Sequence, residues 1–277
     1  MPDDIDDMYP RDAFPDFGYD PTLDAGIVPP PPLAEADVPS RAQVTMRYLP
    51  PVGQQGTLQH PGAPGTCTAW ASTYGLATFT AAKRTKTPPT SNSLIASPAY
   101  IYLQVKEQAG QKPPPCKGSS FLPYFDILAS QGTPNLANAP YFTQCQELTS
   151  WYQGKTIAPD TRFVLEEVSH VSTSDMLRLK QLLASNCPIA YATHLYTDWG
   201  QYKGDPPVYV GNGIKIIGPN GKPAGHCMLI IGYDQQKQAF YIQNSESTAW
   251  GLDGYVWMAY QTFQNLAEAA AAFYYAN

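Results

Sequence analysis

Residues 225–233 read Gly-His-Cys-Met-Leu-Ile-Ile-Gly-Tyr, and residues 241–245 read Tyr-Ile-Gln-Asn-Ser. Both runs are short and β-rich, and a turn through residues 234–238 separates them, which predicts two neighbouring antiparallel strands. His226 and Asn244 would then lie at neighbouring strand ends. The side-chain oxygen of Asn244 could accept a hydrogen bond from the imidazole and fix its orientation, which leaves the other ring nitrogen for a reaction partner.

A cysteine in a suitable setting lies upstream, in Pro64-Gly65-Thr66-Cys67. Small and apolar residues alternate from 66 to about 83 without a proline, which predicts a buried helix with Cys67 at its N-terminus. A helix N-terminus and a neighbouring imidazolium both lower the pKa of a thiol and make it nucleophilic. Cys67 is therefore a candidate nucleophile and His226 its candidate base. The alternative is that Cys67 is a small core residue.

The predicted elements change along the chain from mostly helical to mostly β. A further helix is predicted after Ser97, with Ser97 as its cap and Pro98 in its first turn, through residue 106. Two more helices are predicted at 121–130 and 176–185, and strands at 189–195, 208–210, 214–217, 226–233, 239–243 and 255–260. Turns such as Gly211-Asn212-Gly213 separate the strands, as expected for antiparallel pairs. A helical first half and a β-rich second half predict the α+β class with two lobes.

The motifs together resemble those of papain-like cysteine peptidases, in particular bacterial members, from about residue 48 to 262. The matching runs are Gly65-Thr66-Cys67, Gly225-His226, Asn244-Ser245 with Trp250-Gly251, and Leu-Pro-Pro-Val-Gly-Gln-Gln-Gly at residues 49–56. The resemblance implies a two-lobe fold, with a mostly helical N-terminal lobe and an antiparallel, β-barrel-like C-terminal lobe. The active site would lie in the cleft between them.

The same resemblance implies a peptidase that hydrolyses peptide bonds through a thioester on Cys67. His226 would act as general acid and base, and Asn244 would orient it. The tetrahedral oxyanion would be bound by the Cys67 backbone amide and by a glutamine side chain.

The position of this glutamine departs from the family pattern. In the family it lies six positions before the nucleophile, where this chain has Pro61. We expect Gln55 to take the role, which requires six inserted residues before Cys67, with Gln54 and Gln59 as alternatives.

A second departure falls beside the orienting asparagine. Glu246 stands where the family has a tryptophan that shields the hydrogen bond between the histidine and the asparagine. We therefore expect this bond to be more exposed to water, the ion pair of cysteine and histidine to be weaker, and the enzyme to be slower.

For substrate binding, Cys116-Lys117-Gly118-Ser119 resembles the family's Cys-Asn-Gly-Gly run, whose backbone pairs with an extended substrate. The substrate-binding residues that the resemblance implies are Gly118, Ser119, Phe121, Ala192, Ala224 and Gly225. An apolar pocket would favour a hydrophobic or large side chain just before the residue at the cleaved bond. The alternative is that these are ordinary core residues.

Five cysteines leave at least one unpaired in any monomeric disulfide scheme. The resemblance implies a disulfide between Cys116 and Cys145. Cys187 and Cys227 lie in apolar, strand-like runs and are interpreted as buried thiols.

Residues 1–45 are predicted to be an acidic, proline-rich leader, ahead of a peptidase domain at residues 46–277. Residues 1–40 hold ten acidic residues against Arg11 alone, and because the whole chain carries −6, the remainder carries +3. The leader lacks the helical pattern of the family's propeptide, yet as a pro-segment it could lie across the cleft and keep the enzyme a zymogen. Within the domain we expect a helical lobe at about 60–185 and a β lobe at about 186–277, with the N-terminal part crossing over.

No cofactor, metal or nucleic acid is expected, because the cysteines and histidines lack zinc-like spacing and no basic stripe with interleaved aromatics is present. No apolar run approaches the ~20 residues that cross a bilayer, and the first residues do not resemble a signal peptide. We expect a soluble monomer that acts on peptides or proteins. Its compartment stays open: it remains inside the cell or leaves by another route.

Two alternatives also stay open. A transglutaminase-like or cell-wall amide hydrolase shares the order of cysteine and histidine, but Asn244-Ser245 with Trp250-Gly251 argues against it. A catalytically silent papain-fold binding protein is indicated only by Glu246 and the shifted glutamine. The sequence does not distinguish endopeptidase from exopeptidase activity.

Overall fold

The computed structural model describes residues 38–56, 62–111, 116–218, 221 and 223–275. Most of the predicted leader and the alternative glutamine Gln59 lie outside these residues. No helix in the described ranges is long and apolar enough to cross a membrane.

Helices dominate the described chain up to residue 184. They are α1 (Cys67–Ala69, Trp70–Ala77 and Thr78–Thr85 in one run), α2 (Pro98–Gln108), α3 (Leu122–Ser130), α4 (Cys145–Tyr152), α5 (Met176–Ala184) and, after the sheet has begun, α6 (Tyr260–Leu266). Single 3-10 turns lie at Met46–Tyr48, Asn92–Leu94, Thr161–Phe163 and Trp199–Gln201. The start of α2 follows from its sequence, because Ser97 accepts a hydrogen bond from the Tyr100 amide and Pro98 opens the first turn.

The strands are β1 (Arg41–Gln43), β2 (Ser169–Val171), β3 (Ile189–His194), β4 (Val208–Tyr209), β5 (Gly225–Asp234), β6 (Ala239–Gln243), β7 (Tyr255–Ala259) and β8 (Ala267–Tyr274). They form one sheet in the order β2-β8-β3-β5-β6-β7-β4, and β1 pairs with the far end of β5. The pairs are antiparallel except β4 with β7, which is parallel.

The α+β class is confirmed, but the expected barrel-like closure is wrong. The sheet ends at β2 on one side and at the two-residue β4 on the other, and these two strands do not pair in the described part of the chain. The sheet is therefore open and mixed, because its last strand runs parallel to its neighbour.

One predicted strand is also wrong. Residues 214–217 form only isolated bridges, Tyr196 with Lys215 and Ile217 with Pro223. The side chains of Ile214 and Ile217 are more than half exposed, so the alternation of apolar residues there has no buried face to fill. The helices predicted after Ser97, at 121–130 and at 176–185, and the other strands, occur within a few residues of their expected bounds.

The helical half packs on the sheet through α1, which lies against β5 and β3. The middle of α1, Trp70–Ala77, is a buried π-helix, a geometry that is rare and is often found at functional sites. Gly75 permits the close approach, since a Cβ at this position would lie 3.2 Å from Leu229 Cδ2. The start of α1 is thereby held next to the start of β5.

Candidate active site

The segment before α1 places Cys67 at the junction between the helices and the sheet. Gly65 passes so close to Gly118 that a Cβ on Gly65 would lie 2.6 Å from the Gly118 backbone nitrogen. The Gly65 amide donates to the Cys116 carbonyl oxygen at 2.8 Å. The chain then turns directly into α1, so Cys67 is buried at the helix start, beside the segment that carries Gly118.

His226 and Asn244 come from neighbouring strands, as their order in the sequence predicts. His226 is the second residue of β5, and Asn244 follows the last residue of β6. The distance from His226 Nε2 to Asn244 Oδ1 is 2.8 Å, and Asn244 Oδ1 also accepts from the Ser245 amide at 2.8 Å. Among the residues that the structure describes, no oxygen or nitrogen hydrogen bonds to His226 Nδ1.

The pKa values of Cys67 and His226 move in opposite directions. A hydrogen bond with Cys227 is the largest influence on Cys67 and, with the hydrogen bond and charge of His226, holds the pKa of the thiol well below its ordinary value of 9.0, although burial opposes this. Burial alone would lower the pKa of His226, but the hydrogen bond and charge of Cys67 outweigh it and raise the pKa overall. The two shifts favour a thiolate paired with an imidazolium.

Cys227 is thus a neighbour of the candidate nucleophile Cys67 that sequence reasoning missed. The sequence predicts a buried thiol, and Cys227 is buried and outside any disulfide, with its Sγ 3.5 Å from Thr68 Oγ1. Burial, followed by the hydrogen bond and charge of Cys67, raises the pKa of Cys227 well above the ordinary value. It therefore remains a protonated thiol that can donate to the Cys67 sulfur. The one signal in the sequence is that it directly follows His226.

Gln55 is buried and points its side chain toward the segment after β6. Its Nε2 donates to Glu246 Oε1 at 2.8 Å, and its Oε1 accepts from Ser245 Oγ at 2.9 Å. The alternative Gln54 is exposed and pairs with Glu246 only through a backbone bridge. Of the two described glutamines, Gln55 is the one whose side chain is buried against the segment after β6.

Tyr141 and Trp70 fix the backbone around Gln55. The Tyr141 hydroxyl donates to the Gln55 carbonyl oxygen at 2.6 Å and hydrogen bonds to Thr66 Oγ1 at 2.6 Å. Its ring packs edge-on against Trp70, with 4.9 Å between ring centroids. The loop before Gln55 also lies against the indole, since a Cβ on Gly53 would lie 2.1 Å from Trp70 Cζ3. The Tyr141 hydroxyl thereby links Gln55 to Thr66, the residue before Cys67.

The expectation of a water-exposed hydrogen bond between His226 and Asn244 is wrong. The exposed fractions of His226, Asn244 and Glu246 are 1%, 3% and 6%. Two contacts turn the carboxyl group of Glu246 inward. One is the backbone bridge between Gln54 and Glu246, and the other is the hydrogen bond from Gln55 Nε2. Burial raises the pKa of Glu246 to about 7, against the opposing charge of His226 and the hydrogen bond from Gln55.

The Trp250-Gly251 motif anchors the segment after β6 from its far side. Trp250 is buried and donates from Nε1 to the Trp199 carbonyl oxygen at 2.9 Å. The Gly254 amide donates to the Trp250 carbonyl oxygen at 2.7 Å, and the Asn244 amide donates to the Gly254 carbonyl oxygen at 3.0 Å. Gly251 has a φ of +60°, which glycine adopts without strain.

The six expected substrate-binding residues are not all alike in their surroundings. The Ser119 carbonyl oxygen accepts from Thr68 Oγ1 at 2.7 Å, which brings the Gly118-Ser119 run to the start of α1. Ala192 pairs with Cys227 across the strands, and Gly225 pairs with His194. Ala224 is buried one residue before Gly225.

Phe121 has a different setting. It is fully buried and packs against Phe125 and Phe273, with ring centroids 5.8 and 5.2 Å away. Its side chain therefore packs in the core and has no exposed surface; Ala192, at 1%, is also almost fully buried, but it has no such aromatic packing and lies opposite Cys227.

The disulfide that the resemblance implies, Cys116 to Cys145, is confirmed, with 5.9 Å between the Cα atoms. The Cys145 amide donates to the Gly62 carbonyl oxygen at 2.8 Å. Because Cys116 also binds Gly65, the disulfide holds both ends of the segment that leads into Cys67. In the described ranges, no group of three or more potential ligand residues is placed to hold a metal ion.

The sequence matches the family described as "Papain family cysteine protease" over residues 54–276. A search of the curated proteins finds no match. Among solved structures, the chain is similar to xylellain, a cysteine protease from Xylella fastidiosa, with 22% identity and a TM-score of 0.66 over 95% of this chain and 97% of that one.

Two further structures with the same fold come from an insect and a plant. Digestive procathepsin L 3 from the larval midgut of Tenebrio molitor is 18% identical, with a TM-score of 0.62 over 97% of this chain and 77% of that one. The Carica candamarcensis cysteine protease CMS1MS2, in complex with E-64, is 18% identical, with a TM-score of 0.57 over 87% of this chain and 100% of that one.

Proposed function

The chain belongs to the papain family of cysteine proteases, and we propose that it cleaves peptide bonds by attack of Cys67, with His226 as general acid and base. Membership makes the chain a hydrolase of peptides or proteins, whereas the roles of individual residues are the proposal. The hydrogen bond between His226 Nε2 and Asn244 Oδ1 carries it, because it fixes the ring with Nδ1 left for the thiol.

The reaction would start from the thiolate and imidazolium. The Cys67 sulfur adds to the scissile carbonyl carbon, and the resulting oxyanion collapses as His226 gives its proton to the leaving amine. The acyl group then remains on Cys67 as a thioester. His226, now neutral, takes a proton from water, which attacks the thioester and releases the acid. Asn244 keeps the ring in place throughout.

Gln55 is the proposed side-chain donor of the oxyanion hole, with the Cys67 backbone amide as the other donor. An amide nitrogen carries two hydrogens, and the bond to Glu246 uses one of them. The second remains for the substrate. Removing one donor of this kind typically lowers kcat by a factor of 10² to 10³.

Active-site labelling tests the assignment. An epoxide-type thiol inhibitor such as E-64, the molecule bound in the Carica candamarcensis relative, should add to Cys67 and abolish peptide hydrolysis. The Cys67→Ala variant should neither react nor cleave, whereas Cys187→Ala, which removes another buried thiol, should do both. Unchanged hydrolysis by Cys67→Ala would refute the assignment, and labelling without hydrolysis would point to a catalytically silent fold.

We further propose that Gly118, Ser119, Ala192, Ala224 and Gly225 line the substrate site. Ala192 faces Cys227 across the β3–β5 pair, Gly225 directly precedes His226 in β5, and the small side chains of this set would leave room for a substrate side chain. A hydrophobic or large residue would fill that room. A peptide-library cleavage profile that shows no such preference would contradict the proposal, and the lengths of the products would distinguish endopeptidase from exopeptidase cleavage.

The leader is the second part of the proposal: residues up to about Ser40 restrain access of substrate to the site. β1 joins the sheet at residues 232–234, the end of β5 opposite to His226, which is ~24 Å away along the strand. The 37 residues that precede Val38 could span up to ~120 Å when fully extended, which is long enough to reach the site. Its acidic residues oppose the net charge of +3 on the rest of the chain.

Comparison of the full chain with a chain that starts near Ser40 tests this restraint. The shorter chain should cleave faster, and more so with a protein substrate than with a short peptide. Equal activity of both chains on small and large substrates would exclude it. A mass measurement of the active species would show whether the leader is removed or only displaced.

A further inference from the structure

We propose that Glu246 is a positioning residue, which holds the side-chain amide of Gln55 so that one of its N–H groups faces the reaction centre. The inference rests on the proposed function, because it requires Gln55 to be the oxyanion donor. Glu246 itself is not expected to touch the substrate.

The first observation is that the Gln55 amide is held at both ends. Ser245 Oγ donates to its oxygen at 2.9 Å, and Glu246 Oε1 accepts from its nitrogen at 2.8 Å. All three side chains are buried. A glutamine amide rotates readily about its last torsion, and only such contacts select one orientation.

The second observation concerns which end of the Gln55 side-chain amide is the nitrogen. When Glu246 is ionised, its carboxylate can only accept hydrogen bonds, so a flipped Gln55 would bring two acceptor oxygens together. The serine hydroxyl could adapt to either end of the amide, since it both donates and accepts. Glu246 is therefore the partner that decides the orientation, and the remaining N–H of the amide stays available to a substrate oxyanion.

The third observation is that the backbone prevents this pair from drifting apart. The Gln55 amide donates to the Ser245 carbonyl oxygen at 2.8 Å, and the Ser247 amide donates to the Gly53 carbonyl oxygen at 2.9 Å. The bridge between Gln54 and Glu246 lies between these two bonds. The segment that follows β6 thus orients His226 through Asn244 and Gln55 through the next two residues.

The location of Glu246 in the interior also favours a functional role. A buried carboxyl group is unfavourable unless its partners compensate; here the charge of His226 and the Gln55 amide compensate in part, whereas the charge of Cys67 opposes ionisation. An apolar residue would fill the same space without this cost. It would, however, leave the nitrogen of Gln55 without the acceptor that orients it.

Steady-state kinetics of the full chain on a short peptide test the inference. Glu246→Leu fills the space without an acceptor and should lower kcat by about tenfold with little change in KM, since only transition-state binding is lost. Glu246→Gln keeps an oxygen that can accept from Gln55 Nε2 and should recover most of that loss. Rates are normalised to the fraction of chain labelled by E-64, which removes unfolded molecules from the comparison.

The decisive comparison uses the Gln55→Ala background. Gln55→Ala should lower kcat about 10²-fold, and adding Glu246→Leu should lower it no further, because no amide remains to be oriented. An equal loss from Glu246→Leu in both backgrounds would overturn the inference, as would a Glu246→Gln variant no better than Glu246→Leu. If Glu246→Leu fails to fold, Glu246→Ala in the same two backgrounds gives the same comparison.

The controls separate failure of the inference from failure of the proposed function. If Cys67→Ala remains active, Cys67 is not the nucleophile and the whole proposed function is refuted. If Cys67→Ala is inactive but Gln55→Ala is fully active, Gln55 is not the oxyanion donor, and the positioning role of Glu246 is refuted with it. A low kcat in Gln55→Ala with a normal kcat in Glu246→Leu would remove the role of Glu246 alone.

Discussion

Replacing Glu246 by glutamine should stabilise the fold at alkaline pH but not at acidic pH. Burial raises the pKa of this carboxyl group to about 7 in the folded chain, from an ordinary value of 4.5. The folded chain binds the proton of this carboxyl group more tightly than the unfolded chain does, and this difference in proton binding stabilises the fold. Well below pH 4.5 the group is protonated in both states, and this stabilising contribution is fully present. That contribution is lost as the pH rises to 7, because the unfolded chain ionises first.

The size of the effect follows from the pKa difference. Each unit corresponds to about 1.4 kcal/mol, so ionisation of Glu246 should lower the free energy of unfolding by about 3 kcal/mol between pH 4.5 and pH 7. Glutamine has no proton to lose and should escape this penalty. The difference in unfolding free energy between Glu246→Gln and Glu246 should therefore grow from near zero at pH 4 to about 3 kcal/mol at pH 8.

Urea unfolding followed by tryptophan fluorescence measures this difference. Both chains should carry Cys67→Ala, which prevents self-digestion and makes a reducing agent unnecessary, so the disulfide stays intact. The matched control is Glu166→Gln, which makes the same chemical change at an exposed glutamate. A stability difference for Glu246→Gln that stays constant from pH 4 to pH 8 would refute the reasoning.

Three further outcomes are expected. The pH profile of kcat/KM should be a bell whose acid limb reflects the lowered pKa of Cys67, well below 9.0, and whose alkaline limb reflects the raised pKa of His226, above 6.5. An activity that rises only around pH 9, as an ordinary thiol ionises, would contradict the ion pair. Cys227→Ala removes the largest influence that lowers the pKa of Cys67, so the pH at which iodoacetamide alkylates Cys67 should rise, and an unchanged profile would exclude that hydrogen bond. Replacing Cys116 and Cys145 by alanine opens a loop with a sequence separation of 29 and should lower the unfolding free energy by about 3 to 4 kcal/mol in denaturant titrations.

Much of the fold can be predicted from the sequence because the pattern and the burial agree. The run from 66 to about 83 predicts α1, and the β-rich runs predict β3, β5, β6 and β7, since these segments are buried by one another. The sequence fails where a neighbour decides the conformation. β8, Ala-Glu-Ala-Ala-Ala-Ala-Phe-Tyr, has the composition of a helix, yet it pairs with β2 and β3 and is a strand.

The opposite failure occurs where the pattern has no partner. Residues 214–217 have the apolar content of a strand, but the chain around them offers only single bridges. Periodicity describes what a segment could bury, and the rest of the fold determines whether a surface exists to bury it against.

In the candidate site, too, some residues can be placed from the sequence and others cannot, and Glu246 shows why. His226 and Asn244 could be paired from the sequence because His226 lies at the start of one recognisable strand and Asn244 directly follows the next. Their separation along the chain follows from the antiparallel pairing of these strands. The environment of Glu246 depends instead on a bridge to Gln54, a residue about 190 positions away in a loop without periodicity. A carboxyl group read in isolation predicts exposure, since charged residues are rarely buried.

The register of this one bridge reverses that expectation and links the two halves of the site. With Glu246 opposite Gln54, the side chain of Gln55 meets Ser245 and Glu246, while Asn244 two positions earlier still reaches His226. A shift of one residue would turn Glu246 outward and leave the Gln55 amide without an acceptor. The same register therefore aligns the proposed acid and base with the proposed oxyanion donor.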